Sequence, residues 1–130
     1  MARTTDDIEL YLRSLERTFD RNGDTFVMAS GAATTPIAVH VADSLVLVRV
    51  DIGKVPSDDT RKLALFRRLL ELNASDLVHG AYGLEGEEVV LGLGLPLENL
   101  DLNEFASALA DVDLALARHV KPLRDISQGA

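Results

Sequence analysis

Two separate groups of alternating apolar residues constrain the fold of this chain more than any other feature. The first group lies between residues 26 and 52 and the second between residues 81 and 95, and segments with a helical period flank both. Alternation with a period of two is typical of a strand with one buried face, whereas apolar residues three and four positions apart are typical of an amphipathic helix. Antiparallel strands in two groups separated by helices predict an α+β fold rather than a parallel, doubly wound sheet.

The predicted element order is α-β-β-β-α-β-β-α, with an antiparallel sheet packed against the helices. Helices are expected over residues 6–19, over residues 57–73 and from residue 101 onward, and strands near residues 26–28, 37–41, 45–52, 81–85 and 88–95. Turn residues at 21–24 are expected to end the first helix. Pro122 is expected to kink or end the last helix, because its ring clashes with the preceding turn.

Length and composition indicate one folded domain. The chain has 130 residues, of which 47% are hydrophobic, so we expect a single domain over residues 1–130 with a tail that frays from about residue 125. The sequence contains no cysteine, which excludes disulfides, thiolate metal sites and a cysteine nucleophile. Neither a signal peptide nor an apolar run of the ~20 residues that span a membrane is visible. We therefore expect a cytoplasmic protein.

The charge balance restricts the class of partner. The formal net charge is -8 and the pI is about 4.7. Such a field repels phosphate backbones and anionic membranes, so we expect neither nucleic acid nor membrane as a partner. It suits basic or neutral protein partners.

No catalytic or metal site is predicted. His40, His79 and His119 lie on a predicted strand, loop and helix, and none has a second histidine or a carboxylate at metal-ligand spacing. The serines occupy turn and cap positions, and no Gly-x-Ser-x-Gly nucleophile elbow occurs. We therefore expect no enzymatic activity, no cofactor and no metal.

The second helix carries more apolar surface than one sheet contact requires. One stripe consists of Leu63, Phe66 and Leu70. The other stripe consists of Leu65, Leu69 and Leu72. One stripe covers the sheet, and the other needs a helix of the same chain or a second copy of it. We favour the second copy and assign Leu65, Leu69 and Leu72 to a dimer or partner interface.

The last predicted strand has one nearly bare face. Its apolar face consists of Val89, Leu91, Leu93 and Leu95. Its opposite face consists of Val90, Gly92 and Gly94. Glycine weakens a strand interior and often marks either a close approach of another backbone or a bulge. A packed helix or partner chain at this face and a simple bulge both remain open, and we assign Val90, Gly92 and Gly94 to the interface.

Residues 60–115 resemble a known family. The similarity lies in residues 65–73, 81–84, 88–91, 95–101 and 104–109. These segments are similar to the YbjN-like family and the type III secretion chaperone (Tir chaperone, CesT-like) superfamily. The resemblance implies the α+β fold of the secretion chaperones and a homodimer. It also implies that the protein has no enzymatic activity and binds a segment of a partner protein in extended form. The alternative is a regulatory or scaffold module of the same fold that docks a folded partner. The sequence leaves the partner protein unidentified.

Overall fold

The computed structural model describes residues 2–29 and 35–128, and all structural statements concern those residues. In chain order the elements are α1 (Thr5–Ser14), β1 (Phe19–Asn22), β2 (Thr25–Ala29), β3 (Pro36–Ala42), β4 (Leu45–Lys54), α2 (Asp59–Ser75), β5 (Ala81–Glu85), β6 (Glu88–Pro96) and α3 (Leu102–Gln128). The α+β class is confirmed, with one strand more in the first group than the sequence predicted.

The six strands form one open antiparallel sheet. Their order is β1-β2-β3-β4-β6-β5, so β1 and β5 are the edge strands. Every neighbouring pair is antiparallel. The second hairpin therefore enters the sheet through β6, which lies against β4, and leaves β5 at the edge. This arrangement decides which backbone groups remain available to another chain.

The additional strand corrects the predicted first helix, which ends at Ser14 instead of continuing to residue 19. Phe19 fits the helical stripe by spacing, but it belongs to β1 and pairs with Met28. A residue in the left-handed region, Glu16 at φ 58°, follows the helix, and Gly23 at φ 64° occupies the two-residue loop between β1 and β2. A glycine there suits a tight hairpin, so the turn predicted after a helix joins two strands.

One face of the sheet and the three helices share a single core. The fully buried side chains include Ile8 and Leu12 of α1, Phe26 and Ile37 of the sheet, and Leu109 of α3. Alternate residues of the strands point the other way and are exposed or half-buried, as in the pattern of β4. No described element covers that outer face.

Helix α3 continues past Pro122 to Gln128, so of the predicted kink or end at the proline, the end does not occur. Val120 and Leu123 on either side of the proline are 6% and 1% exposed. Their burial in the core holds the last turns in place although one backbone hydrogen bond is missing. The expected fraying from about residue 125 stays a prediction, and residues 129 and 130 lie outside the described residues.

None of the described helices has the length and hydrophobicity that a bilayer-spanning segment needs.

Candidate protein-binding surfaces

Helix α2 has the two predicted stripes, but their roles are exchanged. Leu65, Leu69 and Leu72, which the sequence assigned to an interface, are 1%, 5% and 2% exposed and belong to the core of the protomer. Leu63 and Leu70 are 71% and 69% exposed. The stripe left over for another surface is therefore the one predicted to cover the sheet.

Helical spacing explains why this assignment was wrong. Periodicity defines the faces of a helix, but it does not say which face turns toward the sheet. The two stripes differ only by one phenylalanine, so hydrophobicity does not separate them. The orientation follows from tertiary packing, because Leu65, Leu69 and Leu72 pack in the core that the sheet and α3 share.

The uncovered stripe continues onto the edge strand. Leu84 of β5 is 50% exposed, and Phe66 of α2 is half-buried against the core. Between them lies a groove of about 240 Å³, lined by Phe66, Leu69, Leu70, Asn73, Tyr82, Gly83 and Leu84. We call Leu63, Phe66, Leu70 and Leu84 the α2–β5 surface. Contiguous exposed apolar surface of this kind is typical of a protein–protein contact.

Asn73 of α2 closes part of the edge of β5. Its Nδ2 donates to the Tyr82 carbonyl at 3.0 Å, and its Oδ1 accepts from the Tyr82 amide at 2.7 Å. The N–H and C=O groups of one strand residue point to the same side, and the direction alternates along the strand. The backbone groups of Leu84, two residues on, therefore point out of the same edge.

A buried hydrogen-bond network holds this region together. The Tyr82 hydroxyl lies 2.8 Å from His119 Nδ1, and His119 Nε2 lies 3.1 Å from Asp76 Oδ2. A neutral imidazole satisfies all three groups when the hydroxyl donates to Nδ1 and Nε2–H donates to the carboxylate. The network joins the end of α2 to β5 and α3, so it fixes the backbone that carries the α2–β5 surface.

The same network shifts two pKa values. The hydrogen bond from His119, with a second one from Ser75, lowers the pKa of the Asp76 carboxyl. Burial raises the pKa of the Tyr82 hydroxyl, and the negative charge of Asp76 adds to that effect. Sequence reasoning treated His119 as an ordinary histidine. Its partners lie 43 and 37 residues away along the chain, so no local spacing signal pointed to them.

The glycine strip, Val90, Gly92 and Gly94, lies on the uncovered face of the sheet as the alternation predicted. The register shift in this part of the sheet falls between Asp51 and Gly53 of β4, so no bulge accounts for the two glycines of β6. No described helix packs on them either. The close approach of a partner chain to Val90, Gly92 and Gly94 stays a prediction.

The strip is also physically accessible. A Cβ atom at Gly92 would lie 3.6 Å from the Val48 carbonyl oxygen, which is an ordinary contact. A Cβ atom at Gly94 would lie 3.2 Å from Cδ2 of Leu47, a flexible and 39% exposed side chain. The fold itself therefore does not demand glycine at Gly92, and at Gly94 a Cβ atom requires only a small shift of the Leu47 side chain.

Charges beside the strip are arranged around one arginine. Arg49 forms ion pairs with Asp51 and Glu85 on the outer face. The hydrogen bond to Glu85, followed by the one to Asp51, raises the pKa of the Arg49 guanidinium. Two carboxylates for one cation leave this part of the face acidic, which suits a neutral or basic segment.

In residues 2–29 and 35–128, no group of three or more histidine or acidic side chains is placed to hold a metal ion.

A protein-family model described as CesT_Tir_1 matches residues 1–129. The match confirms the resemblance drawn from residues 60–115 and extends it over almost the whole chain. No curated protein matches the chain.

Solved structures share the fold at low sequence identity. YbjN from E. coli has a TM-score of 0.67 at 14% identity, and the alignment covers 90% of this chain and 91% of YbjN. A chain of the ExoU–SpcU complex from the type III secretion system of Pseudomonas aeruginosa has a TM-score of 0.69 at 18% identity, with 89% and 96% covered. A chain from the complex of the Yersinia pestis chaperone SycH with a stable fragment of YscM2 gives 0.60 at 13%, with 87% and 98% covered.

Proposed function

Since the chain belongs to the CesT_Tir_1 family, we propose that it is a chaperone-like homodimer that holds a segment of a partner protein. The CesT-like chaperone family is non-enzymatic, and on that ground the predicted lack of enzymatic activity is confirmed. The proposal places the protein in the cytoplasm, which the cysteine-free sequence supports.

The observation that carries the homodimer is the α2–β5 surface. Leu63 and Leu70 expose 71% and 69% of their area, and Leu84, which is 50% exposed, continues the same patch. A second copy offers the same patch, so a two-fold axis beside α2 would bury both at once. The contact would be isologous and would need no additional partner.

The segment-holding role rests on the glycine strip. An extended chain can approach a sheet face closely only where side chains are small, and Gly92 lies between Arg49 on β4 and Ala81 on β5. The exposed Leu47 beside Gly94 offers apolar contact to such a segment. The complexes of SpcU with ExoU and of SycH with a fragment of YscM2 support a protein partner.

Sedimentation velocity and light scattering test the homodimer. The expected mass is twice the 14.1 kDa of the chain. Leu70→Asp should yield a folded monomer, because it buries a carboxylate in the contact without touching the core. Leu10→Asp is the matched control, since Leu10 of α1 is 60% exposed and lies off the surface. A monomer at high concentration, or a Leu70→Asp dimer, would contradict this part of the proposal.

Co-purification from the source cell tests the held segment. A partner protein should co-purify with the wild-type chain and should no longer do so with Gly92→Leu. The region of the partner that is bound should be unfolded when it is isolated. YbjN as a structural neighbour supports one alternative, a regulatory or scaffold module that docks a folded partner. A bound region that folds on its own, shown by circular dichroism, would favour that alternative over the chaperone-like role.

A further inference from the structure

A cavity of about 310 Å³ lies between the end of β4 and the last turns of α3. Four apolar side chains form its floor, and each is at most 4% exposed: Ile52, Leu65, Val89 and Leu123. Lys54 and Arg124 stand at its mouth. The cavity shares no lining residue with the groove of the α2–β5 surface. It is therefore a separate feature that the proposed function does not use.

A register shift in β4 lies beside this cavity. The pairing of β4 with β6 shifts by one residue between Asp51 and Gly53, after which Gly53 lies opposite Val89 and Lys54 opposite Glu88. A bulge of this kind bends the strand and re-aims the side chains that follow. Gly53 and Lys54, which follow the shift, both line the cavity.

The two cations at the mouth have no ion pair within the described parts of the chain. Lys54 has no carboxylate oxygen within 4.0 Å, although Glu88 is its cross-strand neighbour. Arg124 donates only a long hydrogen bond of 3.5 Å to the Ile52 carbonyl. Both cations line the same cavity, so an anion bound there would meet two positive charges.

We propose that this cavity binds a small amphiphilic anion, a carboxylate with an apolar tail of about eight carbons. The tail would lie along the half-buried Val55 and Pro56, which also line the cavity, and the carboxylate would contact Lys54 and Arg124. Pockets of about 300 Å³ and more with an apolar lining and few polar groups are typical of small-ligand sites.

Titration of the full chain with octanoate, followed by amide NMR shifts, tests the proposal. Saturable shifts should be confined to the lining of the cavity. Octanol should bind at least tenfold more weakly because it lacks the charge, and octylammonium should not compete. Lys54→Gln and Arg124→Gln should each weaken octanoate severalfold. The control Lys121→Gln should not, because the Lys121 ammonium on the same helix already pairs with Asp125 at 2.9 Å.

A filling variant separates binding in the cavity from binding to surface charge. Ser127 is half-buried in the cavity wall, and Ser127→Trp should abolish octanoate binding although both cations remain. Shifts that do not saturate, equal binding of octanol, or a Ser127→Trp variant that binds as well as wild type would overturn the proposal. Thermal melts confirm folding of each variant. The dimer mass is expected to be unchanged throughout, so failure here is distinct from failure of the proposed homodimer.

Discussion

The side-chain amide of Asn73 bonds both backbone groups of Tyr82, at 3.0 Å to the carbonyl and 2.7 Å from the amide. It occupies the position that a neighbouring strand would take beside β5. Exposed edge strands invite unwanted pairing with other chains, and covering the edge is one way to prevent it. Asn73 thus links α2 to β5 and closes this edge at Tyr82.

Removal of this amide should weaken the fold and expose the edge. Asn73→Ala leaves the Tyr82 amide and carbonyl without partners, so we expect a loss of roughly 1–3 kcal/mol in the free energy of unfolding. Denaturant melts measure the loss, and light scattering should show increased association at high concentration. Asn103→Ala, an exposed asparagine in the first turn of α3, is the control. Equal stability of the two variants would mean that the bonds to Tyr82 contribute nothing.

The exchanged stripes of α2 give a direct stability test. Leu65→Ala removes a side chain that is 1% exposed and should cost about 2–5 kcal/mol, as buried leucines do. Leu63→Ala removes one that is 71% exposed and should change the stability of the protomer by less than about 0.5 kcal/mol. Urea titrations at a concentration where only monomer is present make the comparison. The opposite ranking would restore the stripe assignment made from the sequence.

Alkaline pH should reveal the buried hydroxyl of Tyr82. Burial raises its pKa above the ordinary value of about 10. Its stabilising contribution is therefore complete below pH of about 10 and is lost as the pH rises through the raised value. Tyr82→Phe should lose about 1–3 kcal/mol at neutral pH, because His119 Nδ1 loses its partner. It should also lack the alkaline decline that wild type shows.

Tyr11→Phe is the control for the loss of a tyrosine hydrogen bond, because the Tyr11 hydroxyl donates to the Leu100 carbonyl at 2.9 Å outside the network. Chemical denaturation between neutral pH and pH of about 11 provides the comparison. An alkaline profile of Tyr82→Phe that parallels wild type would assign the decline to other groups.

The strands and helices followed largely from local patterns in the sequence. Alternation placed β3 and β4 within a residue or two of their observed ends, and the bare face of β6 was assigned to the correct side. Phe19 was misassigned because its spacing suits a helix equally well, and only its pairing with Met28 identifies a strand.

The candidate sites depended on tertiary relationships that local patterns do not contain. The orientation of α2 was wrong because both stripes look alike in the sequence. Asp76, Tyr82 and His119 come together from α2, β5 and α3, and a hydrogen-bond network between distant residues has no periodic signature. The cavity at Lys54 is formed by residues from β4, α2, β6 and α3, which are distant in the sequence.

Acid should weaken the link between the end of α2 and α3. Hydrogen bonds from His119 and Ser75 lower the pKa of Asp76, so its ionised form is favoured in the folded protein. The stabilising contribution is present above the ordinary aspartate pKa of about 4 and is lost as the pH falls through the lowered value. Asp76→Asn should flatten the acid limb of the stability profile in that window. Asp59→Asn, a fully exposed carboxylate at the other end of α2, controls for the change in net charge. An acid limb in Asp76→Asn as steep as that of Asp59→Asn would show that the contact with His119 is not coupled to folding.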